Sequence, residues 1–214
     1  MEFQHVNVKL FVKNAEGLDP AAVIPVFHGW IQDQANDELL LDVADYRHVH
    51  SGPGVVLVGH QGNYSLDNTG GRLGVRYNRK AILEGTNQDR LVQATSAALS
   101  AWLRLEDEPL LNGKLSFNGR EIEVWLNDRL LAPNSEETRR TAYSDFELFF
   151  SNLFGGGEFD ISYQQDPRSL LGVRATAIQS FYAAALLDNL HSLAPAPGPD
   201  WGCDEIISAC RTQE

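Results

Sequence analysis

Residues 39–67 read LLLDVADYRHVHSGPGVVLVGHQGNYSLD, and this stretch decides how the fold is interpreted. Residues 55–58 (VVLV) form an apolar run that is too short for a helix and rich in β-branched side chains, which is typical of a strand covered on both faces. Residues 39–43 (LLLDV) have the same character. Glycine and proline at residues 52–54 predict a turn before the second strand. The stretch therefore predicts two buried strands joined by a loop at residues 44–54.

The rest of the chain shows an alternation of strand and helix patterns. From residue 72 onward the order is strand, helix, strand, strand, helix, strand, which predicts a ferredoxin-like βαββαβ unit in residues 72–164. The hairpin of that unit depends on Asn118-Gly119, a pair that favours two-residue turns between strands. Residues 1–67 read strand, helix, strand, strand, which is compatible with a second, partial copy. We therefore expect an α+β fold with a largely antiparallel sheet and helices packed on one side.

The domain organisation follows from where these patterns end. We expect residues 1–192 to form a single α+β domain, with possible halves at residues 1–71 and 72–178. Residues 193–214 contain APAPGPD at positions 194–200 and are expected to be a proline-rich linker followed by a short docking segment. A segment this short is not a stable helix in isolation, so it must pack on its own domain, on a second copy or on another protein.

Composition excludes several classes of partner. The chain has 214 residues, and 17 Lys and Arg against 29 Asp and Glu give a net charge of −12. Such an acidic chain repels phosphate backbones and anionic lipids, so we expect neither nucleic acid nor a membrane as a partner. The N-terminus alternates like a strand and lacks the apolar core of a signal peptide. We expect a cytoplasmic protein whose first partner is a second copy of itself in a homodimer.

Three histidines are candidate metal ligands. His48 and His50 lie two positions apart in the predicted loop, and His60 follows the second buried strand. Three nitrogen ligands with an open fourth position are how a catalytic zinc is held, and Asp42 or Asp45 could orient one of them. The alternative is that these histidines are solvated residues of a loop and a strand end, because their spacing matches no recognised metal motif.

Acid–base catalysis has candidates in the same stretch but no motif that requires it. The candidate catalytic residues are Asp42, Asp45, His60 and Tyr64. They could act together only if a cleft gathered them. The chain contains no G-x-S-x-G nucleophile elbow. The glycines at residues 52–54 precede a strand and not a helix, so they do not form a phosphate-binding loop.

The strand predicted over residues 72–80 has one basic face. Arg72, Arg76 and Lys80 alternate onto the same side, about 13 Å apart from one to the next. Arginine forks suit carboxylates and phosphates, so these residues are candidates for anion binding. The alternative is a solvent-facing side on which Glu121 and Glu123 of a neighbouring strand balance the positive charge.

No motif in the chain dictates a reaction, so function is inferred from weaker patterns. Our first hypothesis is a non-catalytic binding or assembly module that recognises a small anionic ligand or a protein partner, and it requires no cofactor. The alternative hypothesis is a metal-assisted hydrolase that holds zinc with His48, His50 and His60.

Overall fold

Eight strands and four α-helices form the part of the chain that the computed structural model describes, residues 1–34 and 38–192. The strands are β1 (Val6–Val12), β2 (Leu40–Tyr46), β3 (Gly54–Gly59), β4 (Gly62–Asp67), β5 (Gly74–Arg79), β6 (Phe117–Leu126), β7 (Phe159–Tyr163) and β8 (Leu171–Ala177). The helices are α1 (Val23–Gln32), α2 (Asn87–Glu106), α3 (Glu136–Leu153) and α4 (Ala183–His191). All eight strands join one sheet in the order β2-β3-β4-β5-β1-β6-β8-β7, and every neighbouring pair is antiparallel. The expected α+β class is confirmed.

The helices pack on one face of the sheet, because side chains along each strand alternate between two sides. In β1, Val6, Val8 and Leu10 are buried in one hydrophobic core with the apolar sides of the helices. Lys9 and Phe11 point the opposite way and are also buried, but they lie outside that core. We call this second side the open face, since none of the four α-helices contributes to it. It carries the polar side chains discussed below.

The hairpin expected at Asn118-Gly119 is wrong, because both residues lie within the continuous strand β6. The pairing of β6 with β1 shifts at this point from Leu10 opposite Ile122 to a new register, which is the mark of a β-bulge. The backbone N–H of Phe181 donates to Gly119 O at 2.9 Å, so a segment from another part of the chain occupies the space. Residues 72–164 therefore contain β5, α2, β6, α3 and β7, and the ferredoxin-like βαββαβ unit is not confirmed.

The sheet is built from two units of the same plan. In the first, β1 leads through α1 to the edge strand β2, and the chain returns strand by strand to β5, beside β1, before α2. In the second, β6 leads through α3 to the edge strand β7, and the chain returns to β8, beside β6, before α4. Because β1 of the first unit pairs with β6 of the second, the two units share one sheet. Along the chain, the first unit ends with α2 and the second begins with β6.

Two further sequence-based expectations concern the C-terminal segment and the membrane. The linker and docking segment expected at residues 193–214 lie outside the described residues. Within the described ranges, no helix has the length and apolar character required to cross a bilayer.

Candidate anion-binding site on the open face

A row of polar and charged residues crosses the open face at right angles to the strands. Strand pairing places its members opposite one another from β4 to β8, in the order Ser65, Arg76, Lys9, Glu123 and Arg174. Directly paired side chains on one face of an antiparallel sheet lie close enough to interact. The row therefore brings cations and carboxylates together in the centre of the sheet.

Lys9 and Asp67 form a buried ion pair at the base of this row. Lys9 Nζ lies 2.5 Å from Asp67 Oδ1, and their side chains are 2% and 1% exposed. Lys9 also donates to the carbonyl oxygen of Thr69, whose backbone N–H and hydroxyl both donate to Asp67. Burial lowers the pKa of Lys9, and the Asp67 carboxylate opposes that effect. The opposite charges of Lys9 and Asp67 therefore neutralise each other beneath the row.

Arg72 is paired with Glu121. This agrees with the alternative, drawn from the sequence, that Glu121 and Glu123 balance the positive charge of this face. The Arg72 guanidinium donates two hydrogen bonds to Glu121, at 2.7 and 2.6 Å. These bonds raise the pKa of Arg72 and lower that of Glu121. Because β1 lies between β5 and β6, the arginine reaches across Phe11, and its guanidinium carbon lies 3.8 Å from the centre of that ring.

Arg76 has weaker partners. Its Nε donates to Asn78 Oδ1 at 2.8 Å, and its Nη1 lies 3.7 Å from Asp67 Oδ2. The guanidinium carbon lies 4.9 Å from the centre of the Trp125 ring, a cation–π contact that holds the planar group in place. Burial lowers the pKa of Arg76. This arginine is therefore held in position without a close carboxylate partner of its own.

Arg174 lies across the row from Arg76 and is shared between two carboxylates. Its Nε and Nη2 both donate to Glu123 Oε1, and its Nε lies 3.1 Å from Glu121 Oε1. The pairing of Glu121 with both Arg72 and Arg174 links the two sides of β6 through one network. Such networks hold charged side chains in fixed orientations.

These residues surround a concavity of about 590 Å³, which we call the basin. Its walls carry four guanidinium groups and one carboxylate, from Arg72, Arg76, Arg129, Arg174 and Glu123. Phe11, Trp125 and Tyr163 are its aromatic lining residues. Arg129 is exposed and makes no ion pair with any residue in the described ranges. The basin therefore has an excess of positive charge on a chain whose net charge is −12.

The basin contains two of the three residues predicted to bind an anion. Arg72 and Arg76 line it, whereas Lys80 lies beyond the end of β5 and donates to the carbonyl oxygen of Gly59. Sequence reasoning did not single out Arg129 or Arg174. Their contribution depends on the pairing of β6 with β8 and on the turn after β6, and no local pattern reports either.

The structure does not bring His48, His50 and His60 together. His48 and His50 are exposed in the turn between β2 and β3, whereas His60 is exposed in the turn between β3 and β4. These turns lie at opposite ends of β3, about 20 Å apart for a strand of this length. Among the described residues, no group of three or more His, Cys, Asp or Glu side chains is placed to hold a metal ion. The placement gives no support to a zinc site.

The candidate catalytic residues are also dispersed. Asp42 is exposed on β2, and its carboxylate accepts the backbone N–H of Val43. Asp45 accepts hydrogen bonds from Arg47, which lower its pKa to about 2. Tyr64 is buried under the helices, with its ring 4.9 Å from that of Tyr77. No shared cleft gathers them with His60.

Comparison with known proteins adds no inference by analogy. No protein-family model, no curated protein and no solved structure matches the chain. The charges and hydrogen-bonding groups of the basin are therefore the features that indicate a function.

Proposed function

We propose that the basin on the open face binds a small anionic ligand. The observation that carries this proposal is the excess of guanidinium groups over carboxylates in one concavity of an acidic chain. Electrostatic focusing in a cleft lined by one sign of charge raises the local concentration of the opposite ion. A chain with net charge −12 would otherwise repel such a ligand.

Several guanidinium donors in the basin are available for a ligand. Arg76 uses only its Nε as a hydrogen-bond donor within the described residues, and its Nη1 is 3.7 Å from Asp67 Oδ2, too far for a hydrogen bond. Arg174 uses its Nε and Nη2 and leaves its Nη1. Arg129 makes no hydrogen bond in the described part of the chain. A planar fork donates two parallel bonds to a carboxylate or phosphate, which is the strong form of charge-assisted hydrogen bond.

The basin is held in place before a ligand binds. The contact of Arg76 with Trp125 and that of Arg72 with Phe11 orient two of the guanidinium groups. The ion pair of Lys9 with Asp67 lies fully buried beneath them. Side chains that are already ordered lose less conformational entropy on binding, which favours affinity.

The protonation states around the basin support binding without catalysis. Glu121 accepts two hydrogen bonds from Arg72, and these bonds favour its charged carboxylate form. A general acid or base works best with a pKa near the working pH, and Glu121 has its pKa moved away from neutrality. The concave shape favours a small ligand over the flat acidic surface of a protein partner.

The proposal is tested by isothermal titration of the full chain with three anionic probes, inorganic phosphate, citrate and benzoate. We expect at least one to bind, with an affinity that falls as salt is added, because exposed charges are screened. Arg76→Gln and Arg129→Gln should each weaken that binding by about 10-fold or more, since a charge-assisted hydrogen bond contributes roughly 1.5–3 kcal/mol.

A matched control has the same change of charge on the other side of the molecule. Arg140 is exposed on α3, so Arg140→Gln removes one positive charge without touching the basin. Its affinity for the probe should equal that of the wild type. Failure of all three probes to bind, or equal weakening by Arg140→Gln and Arg76→Gln, would contradict the proposal.

A further inference from the structure

One hydrogen-bond donor that lines the basin is both accessible and unused. Trp125 Nε1 makes no hydrogen bond within the described residues, and the indole is half-buried on β6. The indole nitrogens of Trp30 and Trp102 also lack partners there, but both are fully buried. Trp125 Nε1 differs from them because it keeps accessible surface. An indole nitrogen only donates, so this atom suits an acceptor on a ligand.

Gly172 determines where this N–H lies. The pairing of β6 with β8 places Gly172 directly opposite Trp125, and both residues line the basin. A Cβ at position 172 would lie 2.8 Å from both Cδ1 and Nε1 of the indole. Because glycine leaves that space open, the nitrogen-bearing edge of the ring lies against the backbone of β8.

The available donors of the basin come from four different parts of the fold. Arg76 lies on β5, Trp125 on β6, Arg174 on β8 and Arg129 in the turn after β6. A carboxylate has two oxygens in one plane, whereas a phosphate ester has three terminal acceptor oxygens that point in tetrahedral directions. Donors that approach from several elements therefore match a phosphate group better than a carboxylate.

The charge of the site matches a dianion. Lys9 and Asp67 cancel each other, and the carboxylates of Glu121 and Glu123 neutralise two of the four guanidinium groups. Two positive charges therefore remain in the basin. A phosphate monoester carries a charge of about −1.5 to −2 at neutral pH.

One acceptor in the basin indicates that the ligand also carries a hydroxyl group. Glu123 receives both hydrogen bonds from Arg174 on Oε1, so its Oε2 has no partner within the described ranges. This oxygen is not fully buried. A hydroxyl group donates to such an oxygen, whereas a second anionic group would be repelled by it. Uncharged polar side chains that suit further hydroxyl groups also line the basin, namely Gln164, Gln165 and Ser169.

Flat aromatic ligands fit the basin less well. The Arg72 guanidinium carbon lies 3.8 Å from the centre of the Phe11 ring, and that of Arg76 lies 4.9 Å from the centre of the Trp125 ring. Each arginine therefore covers one face of a ring that a nucleobase would need for stacking. Tyr163 packs against the hydrophobic core on the helix side.

We propose that the ligand of the basin is a small hydroxylated phosphate monoester, of the sugar phosphate class. Its phosphate group accepts hydrogen bonds from Trp125 Nε1, Arg76 and Arg129, and one of its hydroxyl groups donates to Glu123 Oε2. The concavity of about 590 Å³ has a suitable volume. This inference rests on the proposed function, since it names the class of anion that the basin binds.

The first test compares ligands that share a hydroxylated skeleton and differ in the anionic group. The pairs are glucose 6-phosphate with glucuronate and glycerol 3-phosphate with glycerate, each titrated calorimetrically into the full chain. At least one phosphate ester should bind about 10-fold or more tightly than its carboxylate counterpart, because it accepts a further charge-assisted hydrogen bond. It should also bind more tightly than phenyl phosphate, which has no hydroxyl group.

The outcomes of this test separate the inference from the proposed function. Equal or reversed affinities within both pairs, or tighter binding of phenyl phosphate, would overturn the inference while anion binding by the basin stands. Failure of every anion to bind would overturn both.

The second test removes the indole N–H and keeps an aromatic ring. Trp125→Phe should weaken binding of the preferred phosphate ester by about 3-fold or more, since one hydrogen bond is lost. Tyr182→Phe is the matched control, because Tyr182 is 84% exposed and does not line the basin. Thermal unfolding of both variants verifies that the fold is retained. Equal affinity of Trp125→Phe, Tyr182→Phe and the wild type would overturn the inference.

Discussion

Lys9 Nζ and Asp67 Oδ1 lie 2.5 Å apart on the open face of the sheet, and both side chains are almost fully buried. They come from β1 and from the end of β4, 58 positions apart in sequence. Burying two charges is unfavourable unless they remain together, so this contact couples the position of β4 to the central strand. The pair also lies buried beneath the guanidinium groups of the basin.

Loss of Lys9 should be strongly destabilising. Lys9→Met leaves the Asp67 carboxylate buried without its closest cation, which typically costs about 3–5 kcal/mol of unfolding free energy. The measurement is urea denaturation at neutral pH. The double variant Lys9→Met/Asp67→Leu removes both charges and should recover much of the loss. A single variant within about 1 kcal/mol of the wild type would contradict this view of the pair.

Acid should lower the free energy of unfolding by protonating Glu121, a member of the ion-pair network on β6. Two hydrogen bonds from Arg72 lower the pKa of Glu121 in the folded state. This carboxylate therefore contributes stability above its unfolded pKa of about 4.3, and the contribution is lost as the pH falls through the lower folded pKa.

The test of this acid effect compares unfolding free energies across that window. Glu121→Gln should lose less stability than the wild type as the pH falls, because it no longer titrates. Glu16→Gln, at an exposed position, should follow the wild type. Parallel curves for the Glu121 variant and the wild type would count against the assignment.

Alkaline pH should lower the free energy of unfolding because of the raised pKa of Tyr77. Burial, with the hydrogen bond to Glu38, raises its pKa to about 12. The unfolded state loses this proton near pH 10, so the free energy of unfolding should fall as the pH rises from about 10 to 12. Tyr77→Phe should show a shallower decline in denaturation experiments over that range. An unchanged slope would disagree with a raised pKa at this residue.

The bulge in β6 should not tolerate a side chain at Gly119. A Cβ there would lie 1.8 Å from Phe181 O, and a backbone atom cannot move aside cheaply. We expect Gly119→Ala to destabilise the protein by about 2 kcal/mol, as measured by thermal or urea unfolding. Gly29→Ala is the control, since it lies in α1 with no atom within 4 Å of the added Cβ. That change should be neutral or slightly stabilising.

Much of the fold was readable from local patterns. The apolar run at residues 55–58 lies in β3, where Val55 and Leu57 face the helices and Val56 is buried on the open face. A capping box of Thr86 and Asp89, residues only three positions apart, begins α2. Asn118-Gly119 was misread because the same pair suits a hairpin turn and a bulge, and only the approach of another segment decides between them.

The sequence by itself determined the fold class, the acidic charge, the two-sided burial of β3 and the basic face that carries Arg72 and Arg76. These follow from alternation and composition, which depend only on neighbours along the chain. The tertiary structure alone decided that Lys80 lies apart, that Arg174 joins the basin and that the three histidines stay separate. The reason is physical: alternation assigns a side chain to a face, whereas its neighbours on that face depend on strand order and register, which are set by contacts between distant segments.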